Sequence, residues 1–174
     1  MSRTKTYLAL VLVLCGVAAC AAALAWWESQ DQERPYDLIE ARLYLGEAVS
    51  EPPTGTGAVV NLCGIEDPYK VEARLWSPIL EGGGTPTLEW LNKVVDFIDE
   101  QRQAGRTVYV HCMAGVNRSA AATAAYLMRE NGWSREQALA FLRSKRPQVQ
   151  PDPELVRLLD EWERSPARPR QPRK

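Results

Sequence analysis

The sequence has one histidine, His111, and four scattered cysteines, Cys15, Cys20, Cys63 and Cys112. No Cys/His grouping has zinc spacing, so no metal or other cofactor is expected, and the cysteines are too few for a disulfide-stapled miniprotein. No internal repeat is present, which argues against a solenoid or propeller. An excess of one charge is missing too: the net charge is −1, which argues against a nucleic-acid binder. What is there is a chain of 174 residues, 45% hydrophobic, enough for one packed domain with extensions.

The longest apolar run, Tyr7 to Trp27 (YLALVLVLCGVAACAAALAWW), holds no charge. At about 1.5 Å per residue a helix of this run measures roughly 31 Å, the thickness of a bilayer core. Trp26 and Trp27 stand where an interfacial aromatic belt falls. The expectation is a single-pass membrane anchor at 7–27, after a cytoplasmic stub at 1–6 and before a linker at 28–34. Arg3 and Lys5 set this orientation by the positive-inside bias, which places the rest of the chain across the membrane. A cleaved signal peptide is the alternative reading, and Val17-Ala18-Ala19-Cys20 also fits a lipobox with Cys20 lipidated.

Residues 35–164 read as an α/β domain. DLIEARLYLG suggests a turn and a short strand at Leu43 to Leu45; AVVNLC (Ala58 to Cys63) is a buried strand bounded by turn signals, and Arg74 to Ser77 another strand. Leu88, Leu91, Val95 and Ile98 recur at helical spacing, with Thr85-Pro86 as cap and first turn and Gly105 closing the helix. A core strand, Thr107 to His111, precedes an alanine-rich helix from Ser119 to Asn131 that Gly132 ends. Ser134 and Gln137 form a capping box for a helix to Lys145, and Asp152-Pro153-Glu154 opens one to Glu163. Alternating strands and helices predict helices flanking a central sheet. The basic, proline-rich tail at 165–174 reads as disordered.

Between strand and helix lies HCMAGVNRS, His111 to Ser119. A strand that breaks into a short loop and enters a helix turns successive N–H groups and a positive helix end toward one point, which is an anion cradle. Gly115 permits positive φ, and Arg118 can give two parallel donors to a phosphate. Cys112 sits at the base, where a helix amino terminus and a cation lower a thiol pKa and form the nucleophile in advance. Ser119 can donate to the sulfur and ease its departure. His111 is expected to orient the loop instead of acting as a base.

His-Cys, five residues, Arg-Ser resembles the signature of cysteine-based protein phosphatases, and HCMAGVNRS looks like the dual-specificity branch. EARLYLG, VVNLC, TLEWLNKVVDFID, AAYLMRENGWSREQALAFLRSKRP and PDPELVRLLDEWE follow in that family's order. The resemblance implies a compact three-layer protein-tyrosine-phosphatase-like fold and no metal. It implies hydrolysis of phosphotyrosine and phosphoserine or phosphothreonine in proteins through a phosphocysteine. Met113, Ala114, Gly115, Val116, Asn117 and Arg118 would form the phosphate loop. A phosphoinositide phosphatase is the alternative, although none of Met113, Val116 and Asn117 is basic. A non-catalytic phospho-binding protein is the different-class alternative; such proteins lack the cysteine or the arginine, and this chain has both.

The family's general acid is an aspartate in a loop before the long helix. Here the matching position is Glu81, which has the right chemistry and a longer reach, with Asp67 as the fallback. Cys63 matches the position from which some superfamily phosphoinositide phosphatases supply a thiol that forms a reversible disulfide with the nucleophile; core packing is its other reading. A free thiol nucleophile favours a reducing compartment, opposite to the charge bias at the amino end.

Overall fold

The computed structural model describes residues 34–79 and 86–165, together with Gly16 and Cys20. The anchor expected at 7–27, its flanks, Glu81 and the tail after Ser165 therefore lie outside the described residues. Among the described residues no helix is long and apolar enough to cross a membrane. By its contacts the chain divides into Met1–Arg34 and Pro35–Lys174, and the second unit carries the sheet.

Among the described residues five strands make one mixed sheet in the order β1-β2-β5-β3-β4. β1 (Tyr36–Glu40) and β2 (Leu43–Gly46) form an antiparallel hairpin, whose turn holds Arg42 at φ 63°. β2, β5 (Thr107–His111), β3 (Thr56–Asn61) and β4 (Ala73–Trp76) run parallel. β1 corrects the sequence reading, which placed a turn there. It is an edge strand in which only Ile39 is buried, so it lacks the alternation that announces a half-buried strand. β3 also ends earlier than expected. Leu62 N still donates to the His111 carbonyl (3.0 Å), but Cys63 N turns to the Asn61 side chain (2.7 Å), which bends the chain out of the ladder.

Among the described residues four helices flank the sheet: α1 (Leu88–Gln103), α2 (Arg118–Asn131), α3 (Arg135–Lys145) and α4 (Pro153–Arg164). Thr87, not Thr85-Pro86, caps α1: its backbone is extended and its hydroxyl accepts from Trp90 N at 3.2 Å. The capping box of Ser134 and Gln137, the Asp152 cap with Pro153, and left-handed Gly132 (φ 68°) all stand where the sequence put them. α2 is buried from Ser119 to Arg129, and its five alanines let the sheet and three helices approach it closely. It is a central helix, with no solvent face.

Side-chain alternation divides the two faces of the sheet. Leu43, Leu45, Ala58, Val60, Val108 and Val110 join the core with Leu91, Ile98 and Trp162 of the helices. Burial of each Leu, Ile or Val side chain among these contributes about 1.5–3 kcal/mol. Asn61, Tyr109 and His111 occupy the intervening positions on the other face, where Asn61 and His111 meet Asp67 and Tyr109 stacks on His111. The fold thus puts an apolar core on one side of the β5 exit and a buried polar cluster on the other.

Candidate active site

Residues 112–117 join β5 to α2, and every carbonyl from Met113 to Val116 is held from outside the loop. Met113 O accepts from Ala48 N (3.2 Å), Ala114 O and Gly115 O from the Arg146 guanidinium (3.3 and 2.9 Å), and Val116 O from Gln150 N (2.9 Å). A trans peptide points its N–H opposite to its carbonyl, so outward carbonyls turn the next amides inward. Gly115 sits at φ 66°, and a Cβ there would lie 2.4 Å from the Gly46 carbonyl carbon and 2.6 Å from its oxygen. Only glycine fits, on both counts. Asn117 precedes α2 but gives its first turn no side-chain cap; its amide exchanges two 2.8 Å hydrogen bonds with Asp152. The first amides of α2 are thereby left for whatever the loop encloses.

What the loop encloses is Cys112. Its Sγ is 3.2 Å from the Ser119 hydroxyl. Burial pushes the thiol pKa up, but hydrogen bonds from the Ser119 hydroxyl and from the amides of Ser119, Gly115 and Val116 outweigh it and hold the pKa below the ordinary thiol value. Met113 stands half exposed at the rim. The sequence-predicted Cys112, Ser119, Gly115 and Val116 thus meet around one sulfur.

Arg118 opens α2 and directs Nη1 to the carbonyls of Ile79 (2.7 Å) and Leu62 (3.2 Å). It links the loop to the exit of β3 and to the last described residue before the Glu81 segment. His111 is fully buried and stacks on Tyr109 (centroids 5.2 Å apart). Its Nε2 is 3.0 Å from Asp67 Oδ1, and its Nδ1 is 3.8 Å from Cys63 Sγ. Burial pushes the Cys63 thiol up, the Cys112 thiolate adds to this, and the pKa reaches about 11. Cys63 and Cys112 are both free thiols.

Asp67 does not suit the fallback role of proton donor. Burial disfavours its charge, yet hydrogen bonding to His111, the His111 charge, Asn61 and Arg74 together hold its pKa below the usual carboxylate range. Those partners favour the charged carboxylate, which opposes donation of a proton from Asp67. Two supports were missed in the sequence, Arg146 and the second role of Asp152. Arg146 is buried at the end of α3, ion-paired to Asp37 (2.8 Å) while it grips the loop. The only local signal was an arginine before Pro147 at a helix end, which marks a terminus and nothing more.

A sulfur of lowered pKa ringed by main-chain amides, with an arginine at the mouth of the strand-to-helix turn, defines a cysteine-dependent phosphatase catalytic domain. The family described as dual specificity phosphatase, catalytic domain, matches residues 54–165, and the chain belongs to it. It is 30% identical over 148 residues to mouse dual specificity protein phosphatase 1, covering 79% of this chain and 38% of that protein. It is 38% identical over 88 residues to human dual specificity protein phosphatase 8, covering 51% of this chain and 14% of that protein. The chain thus spans well under half the length of these curated relatives. The crystal structure of PTPMT1 in complex with PI(5)P superposes with a TM-score of 0.66 at 26% identity, covering 75% of this chain and 96% of that one.

Proposed function

We propose that the chain hydrolyses phosphate monoesters of tyrosine and of serine or threonine in proteins through a phosphocysteine at Cys112. The observation that carries this is the Cys112 sulfur, its pKa lowered by Ser119 and inward amides in a loop whose carbonyls from Met113 to Val116 are tied outward. The phosphate oxygens occupy those amides, and Arg118 exchanges its carbonyl partners for two of the oxygens. The sulfur forms a bond to phosphorus as the ester P–O bond breaks, and Glu81 gives the leaving oxygen its proton. Glu81 then takes a proton from water as that water attacks phosphorus. The S–P bond breaks, the Ser119 hydroxyl receives the thiolate, and inorganic phosphate leaves.

The test is turnover of p-nitrophenyl phosphate by the full-length chain, lost in Cys112→Ser. Activity that survives Cys112→Ser overturns the reading. A panel of phosphopeptides and phosphoinositide vesicles divides protein from lipid substrates. The likeness to PTPMT1, solved with PI(5)P, favours a lipid as the second reading, while the absence of any cation at Met113, Val116 and Asn117 favours protein. We also propose that the apolar run at 7–27 tethers the domain to a membrane as a single-pass anchor. Release of the chain from membranes by alkaline carbonate contradicts that.

A further inference from the structure

Beside the phosphate loop, on the polar face of the sheet, lies a cavity of about 220 Å³. Ala48, Val49, Ile65 and Pro68 give it apolar walls, and Asp67 and His111 line it from the protein interior. Those two groups are already matched. Asp67 Oδ1 meets His111 Nε2 and Asn61 Nδ2 (3.0 Å each), and the Arg74 guanidinium and Tyr69 attend the same carboxylate. Glu66 borders the cavity as well, but it is exposed and keeps its water. A polar side chain entering here finds no charge to answer, whereas an apolar one exchanges water for apolar walls. The surface around the cavity agrees. Of the four large apolar side chains that stand exposed among the described residues, Ile65 (57%) is in the cavity wall, and Met113 (52%) is tied to that wall by the hydrogen bond from Ala48 N to its carbonyl. Single exposed apolar groups need no explanation; a pair flanking a cavity beside a reactive loop marks a binding surface.

We propose that this cavity is a substrate subsite for one large apolar side chain close in sequence to the phosphorylated residue of a protein. The inference rests on the protein-phosphatase reading above and names its substrate class. Continuity with the phosphate loop supports the position: Ala48 is bonded to the Met113 carbonyl, and His111, in the cavity lining, is the chain neighbour of Cys112. A peptide extended across the mouth advances about 3.3–3.6 Å per residue, so a residue near the phosphorylated one spans that interval. Size agrees with a single side chain, because a site for a whole small molecule takes about 300–1,000 Å³. Chemistry separates a peptide from a phosphoinositide. In the lipid the groups nearest the reacting phosphate are ring hydroxyls and a second phosphate, which the apolar walls and the Glu66 carboxylate disfavour.

The test uses the full-length chain and phosphotyrosine peptides in which each flanking position in turn is leucine, phenylalanine, alanine or glutamine. The expected result is one position where leucine or phenylalanine raises kcat/KM about tenfold over both alanine and glutamine, as burial of most of one apolar side chain gives. The gain should not fall as salt is raised, since no charge carries it. In Ile65→Ser and in Val49→Ser it should drop to about threefold or less; taken as a ratio of two peptides on the same variant, it is untouched by any general loss of activity. Equal rates for leucine and glutamine at every position, with the peptides still turned over, overturn the subsite alone. A gain that survives both variants overturns its location, and one that salt abolishes overturns its apolar character. Turnover of phosphoinositide vesicles without turnover of any phosphopeptide removes the protein substrate class, and the subsite with it. No turnover of p-nitrophenyl phosphate removes the phosphatase reading as a whole.

Discussion

Replacing Ser119 by alanine isolates the contribution of one hydrogen bond to the nucleophile. The hydroxyl lies 3.2 Å from Cys112 Sγ and is fully buried, so alanine removes a donor and leaves no new polar atom without a partner. A hydrogen bond to a charged acceptor contributes about 1.5–3 kcal/mol. At 1.36 kcal/mol per unit, the thiol pKa should rise by roughly 1–2 units. The amides of Ser119, Gly115 and Val116 remain and still oppose the burial that raises it. The assay is the pH dependence of iodoacetamide alkylation, mapped to Cys112; its midpoint and the acid limb of kcat/KM should move up together. The phosphocysteine should also accumulate, because its departing sulfur has lost a donor. Linkage gives a second readout. The native thiol pKa is depressed, so its contribution to stability is complete above the unfolded value, about 8.5, and fades as pH falls through the native one. In Ser119→Ala that contribution should shrink. An unchanged alkylation midpoint refutes the assignment of the Ser119 hydroxyl.

Arg146→Lys should lower kcat/KM about 10- to 100-fold and lower Tm as well, since one ammonium cannot hold the two loop carbonyls and Asp37 as the buried guanidinium does; wild-type kinetics contradict this. Gly115→Ala should lose activity by at least about 100-fold, because the Cβ displaces either the loop or Gly46, and steady-state turnover checks it. Glu81→Gln should slow alkyl phosphates far more than activated aryl phosphates, whose leaving groups scarcely need a proton; equal, undiminished rates remove Glu81 from the mechanism. Peroxide converts the Cys112 thiolate to a sulfenic acid, which the Cys63 thiol can attack to give a disulfide and water. Loss of the thiolate charge that helps hold Cys63 near 11 favours this step. Peptide mapping should find the bond, and an oxidised, inactive chain without it excludes Cys63 as the partner.

The catalytic strand-loop-helix was legible because its determinants are local. A buried β run, a glycine at a turn and a small-residue helix sit in one continuous stretch, and the spacing from Cys112 to Arg118 is set within it. The helix starts at Ser134 and Asp152 were readable for the same reason. What sequence reading missed is held by distant partners. β1 is an edge strand given its place by β2, and Arg146 acquires its role from Asp37, 109 positions away, and from a loop 31 to 32 positions before it. Asp67 read as a spare acid because its burial against His111 and Asn61 exists only once β3 and β5 are neighbours.

The account's central claim is that the sulfur of Cys112 accepts the phosphoryl group. Acid quench of the full-length chain during turnover of p-nitrophenyl phosphate, followed by mass spectrometry of its peptides, tests this most directly. The account predicts a phosphoryl adduct on Cys112, absent from Cys112→Ser and more abundant in Ser119→Ala. Sustained turnover with phosphate on another residue, or an active chain in which Cys112 is never modified, contradicts it.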